Sequence, residues 1–489
     1  MKEKKAIIIG AGIGGIALSI RLAFKGYLVT IYEKNNYPGG KLSQKIIDGY
    51  RFDLGPSLFT MPFYVDELYK LAGKTPEDYF KYQKLESVCH YFYEDGTRLN
   101  ITDDNHKNDE LFTEILGEDK GSFLAFLKQS KTIYTITHSV FLLKSLHKFK
   151  TYLSLETIRS FLNIGKIGIF KSMNKENVSR FKNPKSTQFF NRYATYNGSN
   201  PYKAPSTLNI IPHFEFGFGA YFPEGGMISI TNSLVELAKS LGVSFTYNSH
   251  VKKILTKARR VNGVILDSHE IVSADLVISN QDVRNTFKYL LNDSKKSKRV
   301  FKNEPSSSAL IFYWGINKTF DDLSLHNILF SSDYAGEFNA IFNNKTLHPD
   351  PTIYINITSK YNASDAPEGC ENWFVMINAP YNASQDWPQL IAKAKKDIVA
   401  KINRILKTNI EKHIVVESIL DPLGIENATG SFAGSLYGSS SNNKMAAFFR
   451  HANFSNKYNG LYFCGGSVHP GGGIPLCLLS AKITSELIR

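Results

Sequence analysis

The sequence predicts an α/β fold built on a parallel sheet with flanking helices, in a chain of more than one domain. Three observations support it. Glycines recur at Gly10, Gly12 and Gly15 between two short runs rich in β-branched residues. A second glycine-rich loop, Gly465 to Pro475, opens an apolar helical pattern far along the chain. The chain has 489 residues, more than one hydrophobic core usually supports, so at least two domains are expected.

The first strand is Lys5 to Ile9. It runs into Gly10-Ala11-Gly12-Ile13-Gly14-Gly15, then a helical pattern ending near Gly26, then a second strand, Leu28 to Tyr32, followed by Glu33 and Lys34. This is the βαβ fingerprint of a Rossmann-like dinucleotide site. Gly10 permits the tight turn, Gly12 lets backbone approach a pyrophosphate, and Gly15 lets helix and strand pack closely. The phosphates then meet the helix N-terminus, where free N–H groups and the helix dipole favour an anion. Glu33 ends the second strand, where its carboxylate accepts ribose hydroxyls.

The fingerprint alone fits NAD or FAD, and three further elements favour FAD. Pro38-Gly39-Gly40-Lys41 adds a glycine turn with a cation near the pyrophosphate. Asp53-Leu54-Gly55-Pro56-Ser57-Leu58 is a tight turn able to bring backbone close to the flavin end. In the closing loop, Gly465, Gly466, His469, Gly473, Ile474 and Pro475 lead into a helix with Leu476, Leu479, Ile483 and Leu487 on one face. A helix N-terminus aimed at the pyrimidine side of a flavin stabilises the negative charge of its reduced form. Between these motifs, residues 230 to 280 read as a helix ending at Gly242 and strands near 243–247, 251–255, 260–266 and 276–278. Asn280 follows the last of them, near the crevice where open α/β sheets bind ligands.

Composition is that of a folded protein, 43% hydrophobic and 13% aromatic against 21% charged, with 34 Phe and 26 Tyr offering flat apolar surface. The formal net charge is +14, which calls for an acidic partner. Residues 121 to 185 hold twelve Lys and Arg against Glu156 and Glu176, so the surplus is local. Lys128, Lys131, Lys144, Lys148 and Lys150 interleave there with the apolar runs 123–127 and 140–143. Such a segment reads as an anionic membrane surface contact before nucleic acid, or else as a helical domain with a basic solvated face. No run outside the glycine loops reaches the roughly 18 apolar residues of a spanning helix. The four cysteines lack metal-ligand spacing and fit a reducing, cytoplasmic setting; no metal is expected.

Taken together the motifs resemble the bacterial phytoene and carotenoid desaturases, flavoproteins related in fold to amine oxidases. The likeness is carried by Gly10 to Gly15, Pro38 to Lys41, Phe52 to Ser57, Tyr221 to Gly226, Ala274 to Asn280 and Gly465 to Pro475. The stretch Arg192 to Pro205 is most like the subgroup acting on 1-hydroxylated acyclic carotenoids, the 3,4-desaturases, with Asn197 and Ser199 departing from its pattern. The resemblance implies an amine-oxidase/glutathione-reductase-like FAD domain in three pieces, 1–100, 220–300 and 441–489. It implies a mixed α+β substrate domain at 301–440 and a helical, membrane-associating substrate region at 101–219. It also places the Val251 backbone at the adenine.

The activity so implied is hydride transfer from an acyclic carotenoid to flavin, with oxygen or a quinone as electron acceptor, in a cytoplasmic enzyme peripherally bound to the cell membrane. Arg192, Tyr193, Tyr196 and Glu224 are the candidate polar residues near the substrate, and none is assigned as a base. Other reactions of the same fold stay open: phytoene desaturation, or isomerisation, saturation or oxygenation of a polyene. A nicotinamide dehydrogenase is disfavoured by the closing loop, and a prenyl-binding escort protein by the complete cofactor constellation.

Overall fold

The computed structural model describes residues 3–154, 157, 160, 162–300, 303–443 and 450–488. Glu156 of the basic window lies outside them. A five-stranded parallel sheet runs in the order Ser244–Thr246, Leu28–Tyr32, Lys5–Ile9, Leu276–Ser279, Leu461–Phe463. The apolar run of the first strand is continuous because both faces are covered. Ala6 and Ile8 pack under the helices Ile13–Phe24, Ile228–Ser240 and Ile474–Leu487, whereas Ile7 and Ile9 meet a three-stranded antiparallel sheet over Val251–Lys257, Arg260–Leu266 and Ile271–Ser273. The first and last of those helices lie against each other, and Glu67 bridges them, accepting from Arg21 at 2.7 Å and Lys482 at 3.0 Å.

A second, seven-stranded mixed sheet has the order Ile414–Leu420, Ser308–Ile316, Glu371–Ala379, Ile353–Ile357, His326–Leu329, Ser87–Phe92, Arg98–Thr102. Residues 87–100 fall within the expected first cofactor segment, yet the two strands they form pair into this sheet, through Ile328 beside Tyr91. Period-two alternation decides what each strand faces. Phe312, Trp314, Val375 and Ile355 pack against helix Trp387–Leu406, while Ala309, Ile311, Phe374 and Met376 line a central cavity.

The helical region begins with Asn105–Leu116, capped by the Asp104 carboxylate and stopped at left-handed Gly117, and continues with Ser122–Thr137. The aromatic residues of the apolar run 123–127 face the core, while Leu124 and Leu127 are half-buried and Ala125 is exposed. Phe123 and Phe126 are buried among Phe112, Phe181 and Phe190, and Val140 of the second run is buried too. The most exposed large apolar residues described in this region are Phe149, Leu153, Leu162 and Phe170, each at least 66% exposed. Among the described residues no helix is long and apolar enough to cross a membrane.

Candidate active site

A cavity of about 640 Å³ runs from the parallel sheet to the seven-stranded sheet. Most residues expected to hold the cofactor line it: Gly10, Gly12, Gly14, Glu33, Lys34, Gly40, Lys41, Gly55 to Leu58, Val251, Asn280, Gly465, Gly466 and Gly473 to Pro475. Ala11 and Gly15 sit behind the wall. The Ala11 N–H donates to Glu33 Oε2 at 2.7 Å, and a Cβ on Gly15 would lie 2.5 Å from the Gly10 carbonyl, which is why helix and strand come so close. Asn280 donates its side-chain amide to the Gly10 and Gly12 carbonyls at 3.1 and 3.4 Å, locking the glycine turn.

His469 is a correction to the sequence reading. Its ring is buried away from the cavity wall, where Nε2 donates to the Lys144 carbonyl at 3.0 Å and burial pushes its pKa down to about 3. It ties the closing loop to the helical region.

The donor set fits FAD. Helices Ile13–Phe24 and Ile474–Leu487 both start at a glycine with no side-chain cap, leaving their first N–H groups for a ligand. Gly473, at φ 101°, is a position where an added Cβ would meet nothing within 4 Å, so the second helix opens onto free space. Lys41 is buried with its ammonium on the Ser435 and Leu436 carbonyls at 3.1 and 2.7 Å, and burial lowers its pKa to about 8. A bound pyrophosphate would add negative charge next to this ammonium, beyond that of Asp282. Glu33 keeps lone pairs for ribose while accepting from Ala11 and Asn35.

Beyond the cofactor end the walls turn apolar, with Phe141, Leu142, Ile211, Phe214, Phe374 and Met376. A polar cluster interrupts them. Arg192 donates to the Tyr196 hydroxyl at 2.9 Å, to the Tyr91 hydroxyl, and to Glu215 at 3.4 Å; Tyr193 and Tyr196 donate to Glu215 at 2.8 and 2.9 Å. Burial pushes the three phenols well above their usual range, so they remain donors. Burial also opposes the Arg192 charge, but the surrounding tyrosines and Glu215 hold its pKa above the ordinary value.

Of the four candidate polar residues, Arg192 and Tyr196 line the cavity and Tyr193 stands behind them on Glu215. Glu224 does not belong: it is exposed, at the turn after strand Ala220–Pro223. The carboxylate that the Arg192 cluster brings to the cavity is Glu215, in the π-helical turn His213–Gly217. Its signal in the sequence was a single acid inside an aromatic run, His213-Phe214-Glu215-Phe216-Gly217-Phe218.

Comparison with known proteins agrees with this geometry. The flavin containing amine oxidoreductase family matches residues 13–286. A 1-hydroxycarotenoid 3,4-desaturase of Flavobacterium sp. (strain P99-3) is 53% identical over 487 residues, 99% of each chain. A 4,4'-diapolycopene oxygenase of Methylomonas sp. is 32% identical over 99% of this chain and 98% of its own. Among solved structures, an oxidoreductase from Methanosarcina mazei superposes with a TM-score of 0.64 at 15% identity, covering 99% of this chain and 100% of its own.

Proposed function

We propose a function from the premise that the chain belongs to the flavin containing amine oxidoreductase family: it is an FAD-dependent carotenoid desaturase, and its substrate is an acyclic carotenoid with a hydroxyl at C1, desaturated across C3–C4. The observation that carries this reading is a cavity joining the two uncapped glycine-loop helices to a chamber of largely apolar walls that holds the Arg192–Glu215 polar cluster. Bound FAD supplies the acceptor for the hydride that leaves the carotenoid. The apolar walls position the polyene and exclude water, so that the developing cation is not quenched. The second hydrogen leaves the neighbouring carbon as a proton, and Glu215 is the carboxylate of the polar cluster placed to accept it. A polyene cation is a strong acid, so a weak base suffices.

The electrons then pass to oxygen or a quinone, since the chain has one dinucleotide fingerprint and the cofactor uses it. A substrate dissolved in lipid also requires contact with a membrane. The exposed Phe149, Leu153, Leu162 and Phe170, next to Lys148, Lys150 and Lys171, support docking of this region on an anionic surface.

The test is expression in cells that supply a 1-hydroxylated acyclic carotenoid. The expected product is red-shifted and lighter by two hydrogens, formed with oxygen or a quinone and no added nicotinamide. An oxygenated product, or strict dependence on NAD(P), overturns the reading.

A further inference from the structure

His326 is a cavity-lining residue with a buried, unpartnered nitrogen that the hydride and proton transfers do not use. His326 opens strand His326–Leu329; it and Ile328 line the cavity, while Leu329 packs in the opposite core. Its Nδ1 accepts from the Tyr354 hydroxyl at 2.7 Å and more loosely from Asn356 Nδ2 at 3.2 Å. The Asn356 amide is oriented by the Leu325 carbonyl, to which the same nitrogen donates at 2.9 Å. Nδ1 is therefore the acceptor, and the ring proton rests on Nε2. That nitrogen is buried and has no hydrogen-bond partner. Burial, with the Arg192 charge nearby, lowers the His326 pKa to about 3, so the neutral tautomer persists at working pH. A buried donor without an acceptor is costly to the fold, and a ligand oxygen beside it recovers that cost.

We infer that His326 is the specificity-determining residue for the substrate's terminal hydroxyl, its Nε2–H donating to the oxygen on C1. This rests on the hydroxylated substrate proposed above. Connectivity supports it: the hydroxyl sits two carbons from C3, so whatever grips it stands within a few ångströms of the bond being oxidised. His326 meets that condition through its partners. The Tyr354 hydroxyl holding Nδ1 also meets Ser57 Oγ at 2.7 Å, in the Gly55–Leu58 turn of the cofactor end. On the other side, Ile328 pairs in register with Tyr91, whose hydroxyl meets Arg192 of the polar cluster. A carotenoid ending in plain methyl groups would leave Nε2–H unpaired, so the same atom that binds the hydroxyl also rejects its analogue.

The experiment measures kcat/KM of the flavin-loaded enzyme on two acyclic carotenoids with the same chromophore, one with and one without the C1 hydroxyl. Wild type is expected to favour the hydroxylated one. His326→Phe keeps the ring volume and removes the donor, so the ratio falls by about tenfold or more at normal flavin content. His326→Gln, which restores an amide donor, recovers part of the ratio. His326→Met asks the same question if the phenylalanine variant fails to take up flavin. A wild type without preference overturns the substrate reading itself. A wild-type preference that survives in the donor-less variants, or an equal loss on both substrates, overturns the assignment to His326.

Discussion

Glu215 and Glu224 are nine positions apart and stand in opposite environments. The first is 3% exposed beneath Arg192, Tyr193 and Tyr196, and the second is turned to solvent. Only a carboxylate that touches substrate changes turnover by accepting its proton. Glu215→Gln is therefore expected to lower kcat by about 100-fold, the usual scale for a general base, while flavin absorbance stays normal. Glu224→Gln leaves kcat within about twofold. Single-turnover flavin reduction under anaerobic conditions separates the two, and a Glu215→Gln enzyme with wild-type turnover removes this residue from the chemistry. His326 has no comparable trace in the sequence. A lone histidine at the head of a four-residue strand does not declare which face it occupies until the neighbouring strands fix the register.

At the scale of elements, the glycine fingerprint and the strands of the parallel sheet were legible because steric need leaves a residue-level mark. The first two strands run over the residues expected, Lys5–Ile9 and Leu28–Tyr32, and so does Arg260–Leu266. The surface proposed to dock on a membrane falls in the basic region singled out in the sequence, but on other residues than its two apolar runs. Apolar runs among lysines look alike whether they face lipid or core, and Phe123 and Phe126 turned inward because four other phenylalanine rings were there to receive them. The exposed set predicts a different experiment. Replacing Phe149, Leu162 and Phe170 together by Ser is expected to weaken binding to anionic vesicles at least tenfold, since burial of each large apolar side chain contributes about 1.5–3 kcal/mol. Raising salt weakens the wild type as well, because basic residues near the surface add roughly 1 kcal/mol each. Flotation at low salt with no difference between variant and wild type removes this surface from the docking role.

For the whole molecule, four histidines, three of them buried and His451 half-buried, set an acid limit on stability. Burial is the leading cause in each: it lowers His326 and His469 to about 3, and His213 and His451 to about 4, against an ordinary value of 6.5. Unfolded chains take up these protons below pH 6.5 and the folded protein does not, so stability is full above that pH and is lost as pH falls toward 3–4. Buried Glu337, raised to about 7, acts in the opposite sense, its contribution disappearing as pH rises through 7. Between pH 6.5 and 5, His326 and His469 are each expected to remove on the order of 1–2 kcal/mol. Thermal melts at pH 7 and 5 check this: the Tm falls by a few degrees at the lower pH, and a flat profile contradicts it.

The contact between helices Ile13–Phe24 and Ile474–Leu487 also has a consequence in time. A ribosome makes the phosphate loop first and the helix that completes the flavin site some 460 residues later. At roughly 5–20 residues per second, the nascent chain carries half of a cofactor site for several tens of seconds. Strand Leu461–Phe463 joins the sheet edge only then, so flavin capture waits for the half of the site that is made last.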